Sequence, residues 1–203
     1  MTKLTSLFVT AMLGLVACGS DDIDSDEEAR RAYLGLDESV GKSLTQGFIG
    51  FNAASSANLP LDCCNDVGVE TGTLVITGQV DQGSSDNKGM RLRIGMVDYN
   101  DGVFTVDGDD KEIDITYDTD PNPELQPLLT LTLRNFPNGT LEGTLLGDYQ
   151  MSGDIEGTAT LNLTFAGTIM DDGTGKVVRT PGTTHVTGTA TSGDGTFVVD
   201  VML

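Results

Sequence analysis

Apolar and polar residues along this chain follow two different periods. Leu36, Val40, Leu44 and Phe48 recur every four residues, with Phe51 three further on. That spacing lays them on one stripe of an amphipathic helix, expected over about 34–56. Asp37 and Glu38 near its start suit the helix dipole, and Asn58-Leu59-Pro60 stops it. Gly41, Gly47, Gly50, Ala53 and Ala54 make the segment unusual. Each interior Gly costs about 1 kcal/mol relative to Ala, so close approach to another surface should offset it. Two short helices broken near Gly47 or Gly50 are the other reading; the continuous stripe favours one helix, bent if need be.

From Glu70 onward the period becomes two. Leu74, Ile76, Gly78 and Val80 share a face, as do Leu92, Ile94 and Met96. A short run at Val103–Val106 follows, then Ile113, Ile115 and Tyr117, a Pro-bearing loop from Asp118 to Pro127, and Leu129, Leu131 and Leu133. Two long alternating runs come next, Leu141 to Met151 and Ile155 to Ile169, then Lys176–Arg179, then Val186 to Ala190 and Phe197 to Leu203. Turn residues separate them, including Asn100-Asp101-Gly102, Asn138-Gly139, Ser152-Gly153-Asp154 and Ser192–Gly195. The pattern predicts an antiparallel meander of about nine or ten strands, apolar on one face and Thr-rich on the other.

A sheet this long should curl or close. Without Trp, aromatic girdles or a terminal aromatic residue, the apolar face is expected inward. The fold class is therefore mainly β: a soluble barrel or strongly curved sheet with one N-terminal helix on its concave apolar face. Gly78, Gly143, Gly147, Gly157, Gly167 and Gly188 fall on the inward register. They are expected to seat the helix, or else only to let the strands coil.

The N-terminus obeys neither period. Lys3 is followed by a mostly apolar run from Leu4 to Leu15, a signal-peptide pattern about half the length of a membrane span. It ends in Leu15-Val16-Ala17-Cys18-Gly19. These residues resemble the lipobox of bacterial lipoproteins. The resemblance implies cleavage after Ala17, acylation of Cys18 and attachment to the membrane through that lipid. Gly19 replaces the Asp associated with inner-membrane retention, which implies the outer membrane, at its periplasmic face or the cell surface. Residues 1–17 are thus read as a signal peptide and 18–28 as the lipidated Cys plus an acidic, disordered tether. Residues 29–203 are read as a single helix-plus-β domain. Acid-rich segments after the lipidated Cys accompany surface export in some bacterial groups, and this run is similar in composition.

Charge narrows the partners. Without residues 1–17 the chain keeps 10 basic and 31 acidic residues, a net charge of −21. Such acidity argues against nucleic acid and against adhesion to an anionic lipid surface. Cys63 and Cys64 are adjacent; a vicinal disulfide, two free thiols and a contact to another chain all stay open. No catalytic signature is found: His185 has no paired nucleophile motif, and Gly41-Lys42-Ser43 lacks the earlier Gly of a phosphate loop. No cofactor is indicated beyond calcium, for which Asp98, Asn100, Asp101, Asp107 and Asp109 supply oxygens without EF-hand spacing. The functional expectation is a lipid-anchored envelope protein with a non-enzymatic structural or interaction role. The alternative is a carrier of a hydrophobic ligand inside the sheet, since a curved apolar-lined sheet with one helix resembles lipocalin-like folds, although their Gly-x-Trp signature is absent.

Overall fold

The computed structural model describes residues 22–53, 65–67, 71–106 and 109–203. Two helices open it, α1 (Asp26–Leu34) and α2 (Asp37–Ala53), joined by a turn at Gly35 and Leu36. Twelve strands follow. The first six are β1 (Asn65–Val67), β2 (Thr71–Val80), β3 (Lys88–Asn100), β4 (Phe104–Val106), β5 (Asp109–Ile113) and β6 (Ile115–Asp118). The rest are β7 (Leu128–Arg134), β8 (Gly139–Gly153), β9 (Gly157–Asp171), β10 (Val177–Arg179), β11 (His185–Thr191) and β12 (Thr196–Met202).

Ten strands form one sheet and every pairing is antiparallel. Its path runs β1-β2-β3-β6-β8-β9-β11-β12. Strand β7 also pairs with β3 and β8, and β10 pairs with β9. The β4–β5 hairpin stands apart. β1 and β12 do not pair, so the sheet is curved and open rather than a closed barrel. Along β8 and β9 buried and exposed residues alternate, with Leu141, Leu145, Tyr149, Leu161, Leu163 and Phe165 inward and Thr140, Thr144, Thr160 and Thr164 outward. The period-two reading of these runs holds strand by strand; β1 is an addition to it.

The helices complete what the sheet leaves open. α1 packs on β12, and α2 packs on β10, β2 and β3, so the pair reaches from one side of the sheet to the other. Val40, Leu44 and Phe48 join the inward residues of the strands in one core. Tyr117 of β6 crosses that core and donates its hydroxyl to the Ala32 carbonyl at the end of α1, 2.8 Å. Gly35 permits this crossing, because a Cβ there would collide with the Tyr117 hydroxyl. Farther along, a Cβ on Gly47 would lie 2.9 Å from Met90 Sδ. Small residues on the helices thus do mark close contact with the sheet.

Three expectations need correction. The acidic tether read over 18–28 is part of the fold from Asp22 on. Ile23 is fully buried, Ser25 caps α1 by accepting from the Glu28 N–H, and Asp26, Glu27 and Glu28 form its first turn. Acid at a helix N-terminus is stabilising, so charge here serves the dipole. The helical segment also begins earlier than expected, and its break falls at Gly35-Leu36 while α2 runs unbroken past Gly47 and Gly50. The strand glycines, finally, do not seat the helix. The space a side chain would need is filled by Thr130 and Leu131 at Gly143, by Pro127 at Gly147 and by Asn162 at Gly188. They allow neighbouring strands to approach, which is the coiling role.

Candidate functional site

Two Tyr–Asp–cation clamps fix the helices to the sheet. In the first, Arg179 of β10 grips Asp37 at the start of α2 with both guanidinium nitrogens, Nη1 to Oδ1 at 2.7 Å and Nη2 to Oδ2 at 2.6 Å. The Tyr33 hydroxyl donates to the same Oδ1 at 2.6 Å. Burial first, and then the Asp37 carboxylate, push the Tyr33 hydroxyl well above the ordinary tyrosine range, so it remains a donor. In the second clamp, Lys42 Nζ donates to Asp101 Oδ1 at 2.6 Å and to the Tyr99 hydroxyl oxygen at 3.2 Å. Tyr99 in turn donates to Asp101 Oδ2. Both ion pairs are mostly shielded from water, and their geometry holds α2 against β10 on one flank and against the end of β3 on the other.

The concave side of the sheet is occupied. Tyr33, Tyr99, Tyr117 and Tyr149 are among its largest fully buried side chains, and Tyr117 and Tyr149 meet edge to face with ring centroids 6.4 Å apart. Among the described residues the Tyr149 hydroxyl has no hydrogen-bond partner. A buried orphan hydroxyl costs about 1–3 kcal/mol. Tyr149→Phe, which removes only that oxygen, is expected to raise the midpoint of thermal unfolding by a few degrees, a gain of about 1 kcal/mol. A circular-dichroism melt checks it, and a lower midpoint would mean that the hydroxyl is bonded in solution.

Open space lies elsewhere. Three concavities stand out, and the roomiest, about 480 Å³, lies between the outer face of α2 and β10 with the segment that follows it. Its walls are mostly apolar, with Ile49 on one side and Val178, Pro181 and Leu203 on the other. Glu38, Lys42, Lys176 and Arg179 also line it, with Lys42 paired to Asp101, Arg179 to Asp37, and Asp172 close to Lys176. A second, small concavity is lined by Asp114, Thr116 and Asp154, and a third by Asp118, Asp120, Leu125 and Asp148.

The residues singled out in the sequence are placed as follows. Cys18, Cys63, Cys64 and Asp107 lie outside the described residues, as does the side chain of Asp109. Asn100 and Asp101 spend their side chains inside the fold. Asn100 donates to Asp114 and Thr116 and accepts from the Gly102 N–H, while Asp101 serves the second clamp. Asp98 is exposed, and its N–H donates to the Asp118 carboxylate. Among the described residues no group of three His, Cys, Asp or Glu is placed to hold a metal ion. His185 sits on the outer face beside Asp200, Nε2 to Oδ1 2.7 Å, both largely exposed. Lys42 and Ser43 lie within α2, where Ser43 donates to the Ser39 carbonyl, so no phosphate loop forms. Among the described residues no helix is long and apolar enough to cross a membrane. No family model matches the chain, and neither does any curated protein or solved structure.

The sequence carries no local signal for the Arg179–Asp37 pair or for the groove; Arg179 reads only as the end of a short strand. Its signal was a lone Arg on a three-residue strand in a strongly acidic chain, which says nothing about a carboxylate 142 residues away.

Proposed function

We propose that the chain is a lipid-anchored protein of the bacterial cell envelope, with a non-enzymatic structural or interaction role, whose body is held at the membrane in one orientation. The observation that carries this reading is the lipobox-like Leu15-Val16-Ala17-Cys18 immediately ahead of the first described residue, Asp22. Four residue steps separate Cys18 from Asp22, a reach of at most about 14 Å. Asp22 lies against Gly157 at the start of β9, and Ser192 in the β11–β12 turn donates to the Ile23 carbonyl at 2.6 Å. Strand β9 then runs 15 residues away from that end, roughly 45–50 Å at the usual rise per residue. The end bearing Ile23 and the β11–β12 turn therefore faces the lipid, and the end bearing β10 faces away. This shortens the tether that composition suggested and turns a loosely hung body into an oriented one.

The filled concave face favours this reading over a carrier with its ligand inside the sheet. The acidic body adds no charge attraction to anionic headgroups, so the lipid alone supplies the attachment. Cells fed labelled palmitate should incorporate label into the wild-type chain and not into Cys18→Ser, and the variant should move to the soluble fraction. A Cys18→Ser chain that stays in the membrane fraction, or keeps its label, would overturn the proposal.

A further inference from the structure

We propose that the groove between α2 and β10 binds an uncharged, largely apolar small molecule. Its volume, about 480 Å³, falls within the usual range of ligand pockets, and Ile49, Val178, Pro181 and Leu203 give it an apolar wall. The charges that line it are answered within the protein or by water. Lys42 is paired with Asp101 and Arg179 with Asp37, Asp172 lies close to Lys176, and Glu38 is exposed. The Thr45 hydroxyl donates to the Gly41 carbonyl at 3.1 Å. A charged head group entering the groove would give up water and find no free counter-charge, which is a costly exchange. An uncharged molecule loses little by the same move and gains the burial of its apolar surface.

Gly41 adds an independent observation. Glycine is unfavourable inside a helix, so its presence calls for a reason. Gly35 and Gly47 each have one in a sheet side chain, Tyr117 or Met90, that a Cβ would strike. Gly41 has none of this kind. A Cβ there would meet only Arg179 Nη2, at 3.6 Å, an ordinary contact. Packing does not require glycine at this position, yet Gly41 lines the groove, where the missing side chain widens it and opens the helix backbone to a ligand. Ile49, about two turns further along the same face, is a large apolar side chain 42 % exposed, of which the core makes no use. One face of α2 thus joins a space to an unburied apolar side chain. The walls are also fixed in advance. The clamps at Asp37 and Asp101 hold α2 in place, which lowers the cost of ordering the groove on binding.

The inference does not rest on the lipid anchor, and its test uses the full-length chain carrying Cys18→Ser. Two fluorescent probes share one ring system. N-phenylnaphthylamine is uncharged, and anilinonaphthalene sulfonate adds an anionic group. The uncharged probe is expected to bind at a single site, and the sulfonate at least about tenfold more weakly. Gly41→Leu fills the groove from the helix side. It should weaken binding of the uncharged probe at least about tenfold while raising the melting midpoint by about 2–4 °C, because Leu is the better helix former. Ile49→Lys should weaken binding by a similar factor with an unchanged midpoint, since the side chain is exposed. Lost binding in a protein that melts no lower separates a blocked groove from a failure to fold. No binding of the uncharged probe, equal or tighter binding of the sulfonate, or unchanged binding by either variant would each overturn the proposal.

Discussion

Asp37→Ala is expected to destabilise the protein by about 3–5 kcal/mol, the usual cost of removing one partner from a shielded ion pair. The Asp37 carboxylate serves three donors, two from Arg179 and one from Tyr33, and of these only Arg179 Nη2 keeps another bond, to the Asp37 main-chain carbonyl at 3.3 Å. The alanine variant strands a guanidinium that is only 15 % exposed and a hydroxyl that is fully buried. Some water will reach the guanidinium, which places the loss toward the lower end. Against a total stability of about 5–15 kcal/mol this is a large fraction. The melting midpoint should fall by about 6–12 °C for a chain of this size. The triple variant Tyr33→Phe/Asp37→Leu/Arg179→Leu should recover most of it, because it strands neither the guanidinium nor the Tyr33 hydroxyl and an apolar set often replaces a shielded ion pair at little cost. Thermal melts of the two variants decide the matter. A midpoint for Asp37→Ala within a degree or two of wild type would mean that the clamp contributes orientation but not stability.

What the chain disclosed in advance, and what it withheld, divides along the range of the interactions. Strand alternation is a local signal, and Leu141 through Ile169 carried it without ambiguity. The helix stripe from Leu36 to Phe48 was equally local. The start of α1 was legible too, yet composition obscured it. Ser25-Asp26-Glu27-Glu28 has the spacing of a capping box, and Ala29, Ala32 and Tyr33 behind it are buried. Glu28 reaches back to the Asp24 N–H at 2.9 Å. Read only as a run of like charges, those residues look like a solvated spacer. The inward glycines misled for a related reason: register assigns the face but not which neighbour fills the space. The clamps and the groove could not be read at all. Asp37 and Arg179 look like any acid and any base until the fold brings together residues 142 apart. Lys42 and Asp101 are likewise 59 apart.

Stability should collapse above about pH 10, where free tyrosine ionises. Tyr33, Tyr117 and Tyr149 are fully buried, and each hydroxyl is raised above the ordinary value, chiefly by burial. Asp37 adds to the effect at Tyr33, and the neighbouring Tyr149 and Asp101 add at Tyr117. A raised folded pKa means that the unfolded chain sheds its protons first. The stabilisation from keeping these groups neutral is thus complete below pH 10 and is lost as pH climbs toward the folded values. Each tyrosine contributes about 1.4 kcal/mol per pH unit in that window, so the three together contribute roughly 4. One to three pH units should then exhaust a typical folding free energy. Denaturant unfolding at a series of pH values measures the slope, and tyrosinate absorbance should appear only with loss of structure. Tyr149→Phe removes one titrating group without removing a hydrogen bond, and should lower the slope by about a third. Tyr117→Phe should lower it equally, but from a reduced starting stability, since it also removes the bond to the Ala32 carbonyl, worth about 1 kcal/mol. A flat profile through about pH 11, or tyrosinate forming in the folded protein, would contradict the burial of these rings and with it the filled concave face.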